Sequence, residues 1–447
     1  MLFHRVVVIG AGESGCKIAI KLAQAEVDVL LIEANEIGGS YIYSHDIPKS
    51  VLKETATNYY KSQITDTTNL SKIINQKVSL KLKKLKAKIA KYPNLKIIKG
   101  YAKFVTKQLL EISQTDVRTV VSFEECLIAT GKQKMEMPSL NGLNSLAFMH
   151  QHNSYFGDNN YQSIGVIGCN AESLEFADIY SNLGIKIKIF DSNDTTKILI
   201  HHDATTLNYL IQSLLVKGVE FYFGASITSI KKTNRGNDEI VELNDQEDNQ
   251  YLVDSLYTNV HEVFEDTLGL DTLGIKFNEG GVQVSDGYQT TLRNIYAFGS
   301  SIQRFREINQ NIILANLADK IVNNIKNDTK SRSVVLFNNN SSQNGVLKEA
   351  SCGFHSVDTT NPIMTIGLSY RQAVGQFGSL AKFEIYSHPE FNGFLKLIYN
   401  DQNSQLFGIA LAGQICEKIN DISLLALKNN QSHKDFKIIL TTFGYQI

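Results

Sequence analysis

The chain has 447 residues, 44 Lys and Arg against 45 Asp and Glu for a net charge of −1, and 43% hydrophobic residues. At roughly 100–200 residues per domain this is a multidomain chain with ample material for a buried core, and its near-neutral balance argues against a whole-chain nucleic-acid or membrane-surface role. No apolar run of about 18 or more residues is present, which excludes a transmembrane helix, and five cysteines without a CxxC pair give neither a disulfide framework nor a zinc cage.

Arg5 to Ile9 reads as a buried strand, Ala11 to Gln24 as a helix with Ile18, Leu22 and Ala23 on its apolar face, and Val27 to Ile32 as a second buried strand ending in Glu33. The first strand starts so early that no signal peptide fits before it, and a cytoplasmic protein is expected. Between strand and helix stands Gly10-Ala11-Gly12-Glu13-Ser14-Gly15. In such a loop the first glycine makes the tight turn, the second lets backbone approach a pyrophosphate, and the third allows close helix–strand packing, with the phosphates at the helix N-terminus. Glu33, at the end of the second strand, is placed to bind a ribose hydroxyl.

Thr67 to Lys96 is lysine-rich without a single acid, and its apolar residues recur at i+3 or i+4, which predicts an amphipathic helix with a basic outer face. That face is either a surface for an anionic partner or simply solvated. Lys96 to Tyr101, Val117 to Val121 and Glu125 to Ala129 read as short strands. A second strand–helix–strand unit runs from Ile164-Gly165-Val166-Ile167-Gly168 to Lys186–Asp191, so the chain holds two nucleotide-type units. The Asn338-Asn339-Asn340-Ser341-Ser342 tract is the linker candidate. Beyond it, Ala381 to Tyr386, Gly393 to Tyr399 and Leu406 to Ala412 read as strands of a final α+β unit, followed by helix around Ile415 to Leu427.

With these motifs in this order the chain resembles the pyridine nucleotide-disulfide oxidoreductases, the flavoproteins around dihydrolipoamide dehydrogenase, glutathione reductase and mercuric reductase. Gly38-Gly39-Ser40 and Ile47-Pro48 are similar to the frame around that family's redox disulfide, and Gly100 to Phe104 to its adenine-holding strand. Ala129-Thr130-Gly131, with Pro138 and Gly142 after it, resembles its crossover, and Asn294 to Gly299 its second flavin motif. Pro362 to Leu368 and Gly393 to Gly413 resemble its interface domain. The resemblance implies an α/β fold with two Rossmann-like dinucleotide-binding domains and a C-terminal α+β dimerisation domain. The FAD domain would be formed by residues 1–150 and 266–334, an NAD(P)-binding-like domain by 151–265 and the dimerisation domain by 335–447. It further implies FAD held by Gly10, Gly12, Ser14, Gly15, Glu33, Ala34, Gly39, Ser40, Ala102, Ala129, Thr130, Gly131, Gly299 and Ser300. Gly168 and Asp191 would serve NAD(H), and two chains would form a homodimer.

The departures from the family are as informative. Tyr41 and Asp46 stand where the catalytic cysteines should be, and neither can supply the thiolate that disulfide exchange requires. Ser50 stands where the flavin-side lysine should be, flanked by Lys49 and Lys53. The C-terminal histidine falls by register near Phe443, and His388-Pro389-Glu390 comes too early to replace it. No catalytic residue is therefore assigned. In the second loop Asn170 and Ser173 replace the second and third glycines. Asp191 without a following arginine is the acid expected for NAD rather than NADP, so the unit either binds NADH weakly or is kept for packing. Ser300 replaces an aspartate, a loss of roughly 1.5–3 kcal/mol, or about 10- to 100-fold in flavin affinity.

Glu175 matches the glutamate that pairs with the flavin-side lysine, so here it is either unpaired or meets Lys49 or Lys53. Tyr41 and Tyr43 either fill the old dithiol space or contact the flavin. His201-His202-Asp203 reads as a helix start rather than a metal site, and Cys16, Cys126, Cys169, Cys352 and Cys416 as packing residues. Two readings of function remain. One is an FAD enzyme passing hydride from NADH to a small non-thiol acceptor such as a quinone or dye. The other is an inactive scaffold, with or without flavin.

Overall fold

The computed structural model describes residues 1–44, 46–62, 70–115, 117–132, 134–136, 139–143, 148–150, 161–236, 238–285, 287–302, 310–326, 353–388 and 392–445. The linker tract at 338–342, Cys352, Pro138 and residues 389–390 lie outside them.

The first layer opens with β1 (Leu2–Ile9), α1 (Glu13–Gln24) and β2 (Val29–Glu33), then α2 (Gly39–Tyr43), α3 (Asp46–Ser62) and α4 (Leu70–Ile89). It continues through β3 (Leu95–Lys99), β4 (Tyr101–Thr106), β5 (Leu109–Ser113) and β6 (Arg118–Ile128). The strands form one sheet in the order β3-β2-β1-β6-β5-β4. Val6, Val7 and Val8 are fully buried and run parallel to Val29, Leu30 and Leu31, as expected of a central strand covered on both faces.

The structure departs from the sequence-based expectation at two places. The helix foreseen over 67–96 ends at Ile89 because a Tyr92-Pro93-Asn94 turn intervenes, in which Leu95 N–H donates to Tyr92 O at 3.1 Å. Asn94 holds that turn by donating to Ala23 O (2.9 Å) and Val27 O (2.7 Å), which leaves Leu95 to pair with Val29. The separate strands foreseen at 117–121 and 125–129 are one strand, β6. Pairing with β1 from Val121 to Ile128 carries it unbroken through the polar Ser122, Glu124 and Glu125.

The second layer contains β7 (Lys134–Glu136), β8 (Ser163–Ile167), α5 (Ala171–Asn182), β9 (Lys186–Asp191), α6 (Ala204–Leu215) and β10 (Glu220–Phe223). An antiparallel trio follows, β11 (Ile227–Arg235), β12 (Asp238–Asp245) and β13 (Gln250–Val253), then β14 (Ser255–Thr258). β10-β9-β8-β14 is a second parallel sheet. After β15 (His261–Val263), β16 (Phe277–Asn278) and β17 (Gly281–Val282), the chain returns to the first sheet through β18 (Ile295–Ala297), parallel to β6, and packs α7 (Gln310–Lys326) beside α1. The third layer is the antiparallel sheet of β19 (Phe354–Val357), β20 (Ile363–Gly367), β21 (Ala381–His388), β22 (Gly393–Asn400) and β23 (Leu406–Ala412). Among the described residues the remaining α-helices lie at Tyr370–Phe377, Ile415–Lys428 and His433–Thr442. The fold is α/β with parallel sheets, as the sequence predicts. No described helix is long and apolar enough to cross a membrane.

The carboxyl ends of β1, β6 and β18 lie side by side, because Ala129 N–H donates to Ile9 O (2.8 Å) and Phe298 N–H to Ile128 O (2.9 Å). Gly10, Ala129 and Gly299 are thereby gathered at one end of the parallel strands, where ligands bind in open α/β sheets.

Candidate functional site

At the first loop Gly10 has φ +101°, and a Cβ added there would lie 2.4 Å from Ala129 O. A Cβ on Gly15 would lie 1.9 Å from Gly10 O, so glycine at both positions is demanded by packing. Gly12 differs: a Cβ there would meet nothing within 4 Å, and it starts α1 with no side-chain cap. The first N–H groups of α1 thus face an open cradle, which fits a diphosphate. Glu33 fixes the loop by accepting from Ala11 N–H (2.6 Å) and Asn35 N–H (2.8 Å). Each carboxylate oxygen keeps a lone pair for a ribose hydroxyl. Ala34 follows it half-exposed; Gly39 closes over Gly12, where its Cβ would stand 3.1 Å from Gly12 Cα, and Ser40 is exposed.

The opposite wall comes from distant sequence. A Cβ on Gly131 would lie 3.2 Å from Ser300 Oγ, and one on Gly299 would lie 2.8 Å from Ser14 Oγ. Ser14, Gly131, Gly299 and Ser300 therefore converge, next to buried Ala129 and half-buried Thr130. Ala102 is on β4, the edge strand, with its methyl in the core. Phe104 N–H turns outward to Leu268 O (2.9 Å), so the N–H of Ala102, two residues earlier, points to the same open edge. These residues fit FAD.

At the positions where the resemblance places a dithiol, Tyr41 and Asp46 line a cleft of about 540 Å³ together with Lys49, Lys53, Asp358 and Glu417. Burial, then Glu13 and Asp46, hold the Tyr41 hydroxyl above its ordinary pKa. Ser50 Oγ donates to Ile47 O (2.9 Å) rather than entering the cleft chemistry. Lys49 instead forms an ion pair with Glu175, whose other oxygen accepts Asp358 N–H at 2.7 Å, and both side chains are largely buried. Lys53 takes Asp358, at 2.5 Å. The choice the sequence left open for Glu175 falls to Lys49. Cys16, Cys126, Cys169 and Cys416 are buried and free. Burial, seconded by Glu33 and Asp191, pushes the Cys16 and Cys169 thiols up to about 12; burial also takes Cys416 to about 12 and Cys126 well upward. None of the four offers a thiolate near neutral pH.

The second loop repeats the first in one respect and departs in another. Asp191 accepts from Cys169 N–H (2.7 Å) and Asn193 N–H (2.8 Å), as Glu33 does from Ala11 and Asn35. Asn170, however, caps α5, its Oδ1 accepting Ser173 N–H at 2.9 Å. The side chain occupies a donor that the equivalent helix α1 leaves open. In the sequence Asn170 stands out only as the replacement of the second glycine; the further local signal is the strong preference of Asn for helix N-caps. Gly168 lies at the turn before it with open space beyond its Cα.

The remaining candidates fall away. Asp203 caps α6 through Thr205 N–H (3.0 Å) and pairs with buried Lys396 at 2.9 Å. His201 stacks on His355 with ring centres 4.5 Å apart, and no metal-holding group occurs among the described residues. Phe443 is 65% exposed at the end of the last helix.

The family model of the pyridine nucleotide-disulphide oxidoreductases matches residues 4–317. The chain belongs to that family. Its members are FAD-dependent oxidoreductases that use pyridine nucleotides, and the expected cofactors agree with this. The chain is 25% identical to the dihydrolipoyl dehydrogenase of Buchnera aphidicola subsp. Acyrthosiphon pisum, with 95% of this chain and 89% of that protein covered. It is 27% identical to the soluble pyridine nucleotide transhydrogenase of Marinobacter nauticus, over 67% of this chain and 66% of that one. Among solved structures, the Cu(II) complex of the HOCl-induced flavoprotein disulfide reductase RclA from Escherichia coli superposes with a TM-score of 0.79 at 22% identity, covering 97% of this chain and 95% of that one. That last likeness is one of fold.

Proposed function

We propose that the chain holds FAD in the cradle of Gly10, Gly12, Gly15 and Glu33 and passes hydride from NADH to a small non-thiol acceptor, without disulfide reductase activity. FAD, when bound, supplies the redox chemistry. The chain's own residues bind it at the α1 N-terminus, hold its ribose at Glu33, and keep a paired positive charge, Lys49 with Glu175, in the wall of the cleft. The observation that carries the reading is the cleft itself: it is open at the dithiol positions, but Tyr41 and Asp46 line it in place of thiols. The test is the absorption spectrum after reconstitution with FAD, followed by anaerobic addition of NADH and then of a dye or quinone. Bleaching by NADH and recovery on adding the acceptor is expected; a protein that releases no flavin on denaturation would remove the proposal.

One observation favours the second reading, a flavin-bearing or flavin-free scaffold: Asn170 fills the helix terminus where a dinucleotide would bind. Bound flavin that NADH never reduces would select it. A homodimer is proposed for either case. The β21 strand at the edge of the third sheet exposes Phe383 and Ile385, an apolar face suited to a two-fold contact. A light-scattering mass near one chain at micromolar concentration would refute it.

A further inference from the structure

The most uneven charge distribution in the molecule is on α4. From residue 67 to 96 there are nine lysines and no acid or arginine, although the whole chain is balanced at 44 against 45. At about 100° per residue, Ile74, Val78, Leu82, Leu85 and Ile89 share one face, and Ile74 and Ile89 are buried against the body of the protein. The opposite face has an order of its own. Gln76, Leu80 and Ala87 form its midline. Lys72, Lys83 and Lys86 lie along one flank, and Lys77, Lys84 and Lys88 along the other. All six lysines are exposed, and none is in an ion pair with a described residue. Leu80, at the centre, is 50% exposed, beside a shallow recess of about 630 Å³ bounded by Lys72, Gln76, Ser79 and Lys83.

We infer that this outer face of α4 docks the protein on an anionic lipid surface. A weakly apolar midline between two rows of lysines is the arrangement in which long aliphatic stems lie on an interface while their ammonium groups reach phosphate headgroups. The helix is about 30 Å long and its charges run along its whole length, which matches a flat anionic surface better than a point ligand. Lysine alone, without arginine forks, suits headgroup phosphates attracted as a field rather than read in pairs. The docking is peripheral, since no described helix is fit to span a bilayer. It does not depend on the flavin or its reductant, so the two readings fail separately.

The experiment is co-sedimentation of the intact protein with phosphatidylcholine vesicles, with and without one-third phosphatidylglycerol, at low and high salt. Wild type is expected to bind the anionic vesicles, to ignore the zwitterionic ones, and to be released by salt. Each lysine removed should weaken binding about fivefold, so the Lys77→Gln, Lys83→Gln, Lys84→Gln triple variant should lose roughly 100-fold. An unchanged melting temperature certifies that the variant is folded. Equal binding to both vesicle types, undiminished binding by the folded triple variant, or retention on RNA with none on vesicles would each overturn the inference.

Discussion

Replacing Asn170 by glycine should turn a poor dinucleotide site into a better one. Asn170 has φ −116° and ψ 179°, an ordinary extended conformation, so glycine can take its place without moving the backbone. What is lost is the 2.9 Å cap on Ser173 N–H, a cost of only a few tenths of a kcal/mol when glycine is the replacement. What is gained is a free N–H at the α5 N-terminus for a charged pyrophosphate oxygen, worth roughly 1.5–3 kcal/mol. The net effect is an apparent KM for NADH lower by about 10- to 100-fold, with kcat unchanged, because the contact is remote from the nicotinamide and equal in ground and transition states. Stopped-flow reduction of the bound flavin, with steady-state dye reduction beside it, measures both. Asn170→Ser is the control: serine caps as well as asparagine and should leave KM high. If flavin is reduced at the same KM in all three proteins, the cap is not what weakens the site.

Other outcomes follow from the same geometry. Gly12→Val should fold normally but lose bound flavin, since its side chain enters the open cradle, whereas Gly15→Ala should unfold the loop against Gly10 O; a flavin assay and a thermal melt separate the two. Lipoamide and glutathione disulfide should not be reduced, and in the folded protein no more than one of the five thiols should react with Ellman's reagent, because four are buried with raised pKa. Rapid lipoamide turnover by wild type would overturn the account of the site. Glu125 is held up to about 7 by burial and then by Glu124, and its Oε2 has no hydrogen-bond partner among the described residues. Its folded pKa exceeds its unfolded value, so the stability it contributes is fully present below about pH 4.5 and is lost as the pH rises through 7, at most about 3 kcal/mol. Glu125→Gln should flatten denaturant midpoints across that window, and an unchanged slope would show that Glu125 does not titrate there.

Much of the site was legible in the chain because the signals are local. The glycine spacing at 10, 12 and 15, the acid closing β2, and Tyr and Asp at 41 and 46 are all read within a few dozen residues. The Asn170 cap is equally local, as its partner is three residues away, and was missed only because a glycine was expected there. The partner of Glu175 was illegible for a different reason. Lys49 is 126 residues away, and Lys53, four residues further along α3, is an equal candidate by sequence; contact with Asp358 of the third layer decides between them.

The sequence by itself thus determined the α/β class and the family, since both rest on residue identity at fixed short spacing. The tertiary structure alone decided which residues share a wall. Ser14, Gly131 and Gly299-Ser300 meet because three parallel strands end at one level, and strand register is set by long-range hydrogen bonds such as Ala129 to Ile9 and Phe298 to Ile128. It alone showed Glu125 half-buried with one carboxylate oxygen enclosed, because the same alternation that puts polar residues outside on an edge strand puts them beneath a helix on a strand covered by α7. Periodicity specifies which face of an element is apolar; only packing specifies what that face, and the face opposite it, will meet.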